Sequence, residues 1–169
     1  MNYFELFQLP VTLRPDPMQV KQQFYALSRQ YHPDFFAQAN EDEQAHALEK
    51  ASLVNKAFKV LQSPEATIQY VLMEKGLLQE EEKYQLPPTF LMEMMDLNEQ
   101  ASDAAIDGDE AQMASIRAQI DQFETEIYAP VKQIMADYQE GVTTEKELLQ
   151  VKAYYYKKKY LNRILAGLK

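Results

Sequence analysis

Pro33 stands between two long stretches whose apolar residues recur at intervals of three and four. A proline there ends the first stretch, because the residue before it avoids the helical region. Upstream, Val20, Phe24, Leu27 and Tyr31, with Ser28 between them, lie on one face of a helix that opens at Asp16-Pro17, with Asp as cap and Pro in the first turn. Downstream, Ala47, Ala51, Val54, Phe58 and Leu61 predict a second helix over residues 41–62, which Ser63-Pro64 breaks. A short apolar segment from Tyr3 to Leu9 precedes the pair, and a helix carrying Ile68, Val71 and Leu72 follows it. Two long helices joined by a short loop read as an antiparallel hairpin.

The remainder extends the helical reading. With only 4 Gly in 169 residues and no long apolar/polar alternation, the chain is expected to be all-α. Residues 76–88, with Glu80-Glu81-Glu82-Lys83 and Pro87-Pro88, read as a solvated linker. Beyond it three helices are expected: one over 89–105 ending before Gly108, one over 109–138 bent at Pro130, and one running from the Thr143-Thr144-Glu145 turn to about Leu168. The second carries a seam at Met113, Ile116, Ile120, Phe123, Ile127, Val131 and Ile134. Short connections between them predict an antiparallel three-helix bundle. The domain plan is therefore 1–75, a linker at 76–88, and 89–169.

Composition excludes several classes of function. Cysteine is absent, which removes disulfides, thiolate metal sites and cysteine nucleophiles, and 2 His make a histidine-rich metal site a poor reading. The net charge of −9 argues against a nucleic-acid partner. Most of that charge falls in the second half: residues 1–75 hold 7 basic and 9 acidic side chains, residues 76–169 hold 10 and 17. No apolar run is long enough for a membrane span and no signal peptide is evident, so a cytoplasmic protein is expected.

His32-Pro33-Asp34 admits two readings. It can be a helix stop, with Pro33 ending one helix and Asp34 capping the next turn. It can also be a presented loop: proline lowers the entropy cost of fixing its neighbours, Asp34 offers a carboxylate to a partner arginine, and His32 offers a ring with one donor and one acceptor. Nothing beside it suggests a substrate pocket, a nucleophile elbow or a phosphate loop, so an enzyme is not expected.

The helix at 89–105 has two faces. At about 100° per residue, Phe90, Met94, Leu97, Ala101 and Ala105 fall within roughly 80° of one another, enough for a bundle core. Leu91, Met92 and Met95 lie away from that stripe, next to Asp96, Glu99 and Asp103. Apolar groups with an acidic rim read as a protein-binding patch, unless the linker or the N-terminal domain covers them.

Residues 1–75 resemble a J domain, the module that stimulates the ATPase of DnaK-class chaperones. The resemblance rests on the aromatic N-terminal segment, the helix ending Tyr-His-Pro-Asp, and the helix ending Asn55-Lys-Ala-Phe58 with Leu61-Gln-Ser-Pro64. Phe35 stands where a lysine commonly follows His-Pro-Asp, and Thr67-Ile68 stand where Arg-Ala often occurs. Phe90-Leu91-Met92-Glu93 with its acidic continuation is similar to the corresponding helix of the HscB family, the J-type co-chaperones of iron–sulfur cluster assembly. That resemblance implies a chaperone-binding site at His32, Pro33, Asp34, Lys21 and Arg29. It implies a client-binding site at Leu91, Met92, Met95, Asp96, Glu99 and Asp103, with Tyr155 from the last helix, which a helical wheel places off the Leu149/Ala153/Tyr156/Tyr160 stripe. The implied partners are an HscA-like chaperone and an IscU-like scaffold. No cofactor is expected in this chain, since the ATP and its metal ion belong to the chaperone. The rival readings are a J protein with another client and a helical adaptor whose His-Pro-Asp is only a helix stop.

Overall fold

The computed structural model describes residues 1–168. They form eight α-helices and one 3₁₀ turn, with no strand among the described residues. Two compact units result: residues 1–74 with 138–142, and residues 75–137 with 143–168.

In the first unit, α1 (Tyr3–Leu6) is capped by Asn2, whose side chain accepts from the Glu5 amide. The α2 helix (Pro17–Gln30) starts at Asp16, which caps the Met18 amide, and stops two residues short of Pro33. A 3₁₀ turn (Pro33–Phe36) leads to α3 (Glu41–Leu61), capped by Asn40 and opened by Glu41, Asp42 and Glu43 in its first turn. Those carboxylates suit the positive end of a helix. The α4 helix (Pro64–Glu74) follows immediately. The α2 and α3 helices pack on each other, and Phe24 stacks on Phe58 at 4.0 Å. Phe4, Phe7, Leu13, Val20, Val54, Leu61 and Leu72 are buried between the helices. Thr67 is fully buried, and its hydroxyl donates to the Val60 carbonyl at 2.9 Å, so it costs no unsatisfied group.

The second unit is built on α5 (Pro88–Asp107), α6 (Glu110–Tyr128), the short α7 (Lys132–Ala136) and α8 (Glu145–Ala166). Gly108 closes α5 in the left-handed region at φ 65°, where a side chain would be strained. Thr144 and Glu147 form a reciprocal capping box at the start of α8. Arg117 reaches the Leu168 carbonyl, Glu124 pairs with Lys158 at 2.6 Å, and Tyr128 meets Tyr154. Ascending positions on α6 meet descending ones on α8, so these helices are antiparallel. The core joins Phe90, Met94, Leu97, Ala101 and Ala104 to Met113, Ile116, Ile120 and Ile127, and to Leu161, Ile164 and Leu168.

Four local expectations are corrected. Pro130 breaks the second helix instead of bending it, giving α7, and the buried residue there is Met135 in place of Ile134. Ala104, one position before the expected Ala105, completes the α5 stripe. Residues 76–88 are not a solvated connector. Leu78 is buried, Glu82 pairs with Lys152 at 2.6 Å, Tyr84 stacks on Tyr156 at 4.4 Å, and Leu86 packs against the bundle core. Finally, α8 has no single narrow apolar stripe: Leu148, Val151 and Tyr155 are buried on one side of its N-terminal half, and Leu161 and Ile164 on another side near its C-terminus.

Candidate functional site

His32 caps the 3₁₀ turn. Its Nδ1 accepts a hydrogen bond from the Asp34 amide at 3.2 Å, which leaves Nε2 to carry the proton of the neutral ring. The Asp34 carboxylate lies 3.6 Å from the same Nδ1, outside hydrogen-bond range, and its side chain is 89% exposed. A charge held on a fixed turn yet left in water is available to a cation brought by a partner. Pro33 supplies the first position of the turn, where its missing N–H is no loss.

The turn is fixed from α3. Gln44 directs its side-chain amide at the carbonyls of Phe36, Ala37 and Ala39, at 3.0, 3.4 and 3.2 Å. Sequence reasoning missed this residue, because a glutamine in the first turns of a helix carries no motif. Phe36, Gln44, Ala47 and Leu48 join Pro33 and Ala37 around a shallow cleft of about 300 Å³ beside the loop. Phe35 projects into solvent, edge-on to the His32 ring, while Phe36 is half-buried.

Lys21 and Arg29 are both exposed on α2. Met18 and Tyr25, also exposed, share their face at about 100° per residue. The sequence reading named the two cations but not this apolar and aromatic pair between them.

In the second unit, α5 shows the two faces expected of it. Met92 is 68% exposed and Met95 64%, Leu91 is half-buried, and Asp96, Glu99 and Asp103 are exposed. None of the three carboxylates has a hydrogen-bond or ion-pair partner among the described residues. Tyr155 is not part of this surface: it is 7% exposed, on the buried side of α8 with Leu148 and Val151. The wheel failed there because α8 buries different sides along its length: Leu161 and Ile164 join the bundle core, while Leu148, Val151 and Tyr155 are buried outside that cluster. No group of three or more metal-ligating side chains gathers among the described residues. No helix among them is long and apolar enough to cross a membrane.

Comparison with known proteins gives two matches along the chain. A DnaJ domain model covers residues 2–70, and a model described as the HSCB C-terminal oligomerisation domain covers residues 86–169. A co-chaperone protein HscB homolog of Vibrio cholerae is 32% identical over 165 residues, 97% of this chain and 92% of the relative. One from Vibrio atlanticus is 40% identical over 110 residues, and the match spans 64% of that relative's length. Among solved structures, the human co-chaperone protein HscB superposes with a TM-score of 0.83 at 25% identity, over 99% of this chain and 80% of the other. The chaperone HscB from Vibrio cholerae gives 0.70 at 28% identity over the whole of both chains.

Proposed function

Since the chain belongs to the HscB family of co-chaperones, with a J domain at its N-terminus, we propose that it is a cytoplasmic protein that holds an IscU-like iron–sulfur scaffold and delivers it to an HscA-like chaperone of the DnaK class. Residues 1–75 act on the chaperone and residues 89–169 hold the client, with 76–88 serving the latter as part of its frame. The observation that carries the reading is the His32-Pro33-Asp34 turn, braced by Gln44 and presenting an exposed carboxylate.

The proposed mechanism needs no chemistry on this chain. Asp34 pairs with an arginine of the chaperone, His32 and Pro33 hold that carboxylate in place, and Lys21 and Arg29 meet an acidic surface beside it. The contact favours the chaperone state committed to hydrolysis, so ATP turnover rises. Leu91, Met92 and Met95 bury apolar surface of the client, while Asp96, Glu99 and Asp103 meet its basic groups. One chain that engages both raises the effective concentration of client at the chaperone. This sequence has no cysteine, so thiolate ligands for a cluster come from the scaffold.

Calorimetric titration of an IscU-like scaffold into the full chain tests the client half. Wild type should bind, and Leu91→Ala/Met95→Ala should weaken binding by roughly 10-fold or more, with helicity unchanged. Undiminished binding by the variant would remove these residues from the client site.

A further inference from the structure

Ile106 is 83% exposed, more than any other large apolar side chain among the described residues. It lies in the last turn of α5. Counting about 100° per residue, it falls inside the arc that holds Leu91, Met95, Glu99, Met92, Asp103 and Asp96, roughly 20° from Met95. The rise of the helix puts it about 16 Å beyond Met95 along the same face. Nothing in its own unit covers it, and a β-branched residue is a poor choice for an exposed helical turn on propensity alone.

We propose that the client-docking face of α5 runs to the end of the helix and has two apolar anchors. Leu91, Met92 and Met95 form the first and Ile106 the second, with Glu99 and Asp103 between them. This rests on the client reading above and goes beyond it. The occupant is a surface of the scaffold protein on which basic side chains lie between two apolar contacts about 16 Å apart, matching the helix rise. Charge favours that occupant. The carboxylates between the anchors are unpaired among the described residues, and no basic residue stands in the last turn of α5 to balance Asp103, Asp107 and the negative end of the helix. A second copy of this chain would bring like charge to the same face.

The test is a titration of full-length wild type, Met95→Ala, Ile106→Ala, the double variant, and Leu149→Ala with an IscU-type scaffold protein. Leu149 is an exposed apolar residue on α8 and serves as the control. Alanine favours helix at both exposed positions, so these variants keep their fold. Ile106→Ala should weaken binding about 5-fold, Leu149→Ala should not, and the double variant should show the product of the two single effects, as sites this far apart do. Wild-type affinity in Ile106→Ala, alongside weakened binding by Met95→Ala, would overturn the second anchor and leave the client reading standing. Failure of wild type to bind the scaffold would overturn both. Sedimentation of the free proteins adds a third outcome: a dimer that Ile106→Ala dissociates would reassign the face to self-association.

Discussion

His32 turns Nδ1 toward the Asp34 amide, and Gln44 gathers three carbonyls of the following loop. The turn therefore holds its shape through polar contacts to backbone, with no residue of it fully buried. Gln44→Leu should keep the helices, speed amide exchange over residues 35–40, and lower stimulation of the chaperone ATPase several-fold. Unchanged exchange would show that the turn does not need this brace. His32-Pro33-Asp34 was legible in the sequence because three chemically distinctive residues interrupt a helical period. Gln44 was not, since its role exists only once the loop folds back over α3. Tyr155 was misplaced for a related reason: a helical wheel assumes one buried face, and α8 has two.

Among the elements, the segment preceding α5 changes most on folding from what its composition suggests. Its run of glutamates reads as solvated, yet Glu82 pairs with Lys152 and Tyr84 stacks on Tyr156. Lys152 also approaches the Tyr84 ring, at 5.7 Å from its centre. One lysine thus joins an ion pair to an aromatic pair, and the clip fixes the start of α5 ahead of Leu91 and Met92. The Lys152 hydrogen bond holds the Glu82 carboxyl below its ordinary range. A depressed folded-state value means that the clip contributes fully above the ordinary carboxylate range and is lost as pH falls through the depressed value. Ring signals of Tyr84 and Tyr156 followed by NMR should therefore move together on acidification, and Glu82→Gln should abolish that pH dependence. Independent movement of the two rings would contradict the clip. Burial of Tyr156 raises its phenol pKa, so its hydroxyl stays protonated through this range. The helices themselves were legible from apolar period and from caps at Asp16, Asn40, Asp109 and Thr144. Cross-element contacts such as Glu82 with Lys152, 70 residues apart, leave no periodic trace.

For the whole molecule, the order of parts is legible in the sequence: an N-terminal hairpin around His-Pro-Asp, then an acidic helical bundle. The break at Pro130 and the grouping of residues 138–142 with the first unit are not, because they depend on packing that a local pattern does not encode. Acidic side chains outnumber basic ones by 2 in residues 1–75 and by 7 in residues 76–169, and charge of one sign steers partners. The near-neutral unit carries Lys21 and Arg29 beside an exposed carboxylate, and the acidic one carries Asp96, Glu99 and Asp103 beside exposed methionines. The account requires the first to act on the chaperone while the second holds the client. Steady-state ATP turnover of the cognate DnaK-class chaperone tests this most directly, with wild type and with Asp34→Asn, each with and without scaffold protein. Asp34→Asn keeps the size of the side chain and the amide that donates to His32, so the protein should fold and still bind scaffold. The account predicts that wild type raises turnover, more so with scaffold present, and that Asp34→Asn leaves it near the unstimulated rate under both conditions. Equal stimulation by the two proteins, or none by either, would contradict it.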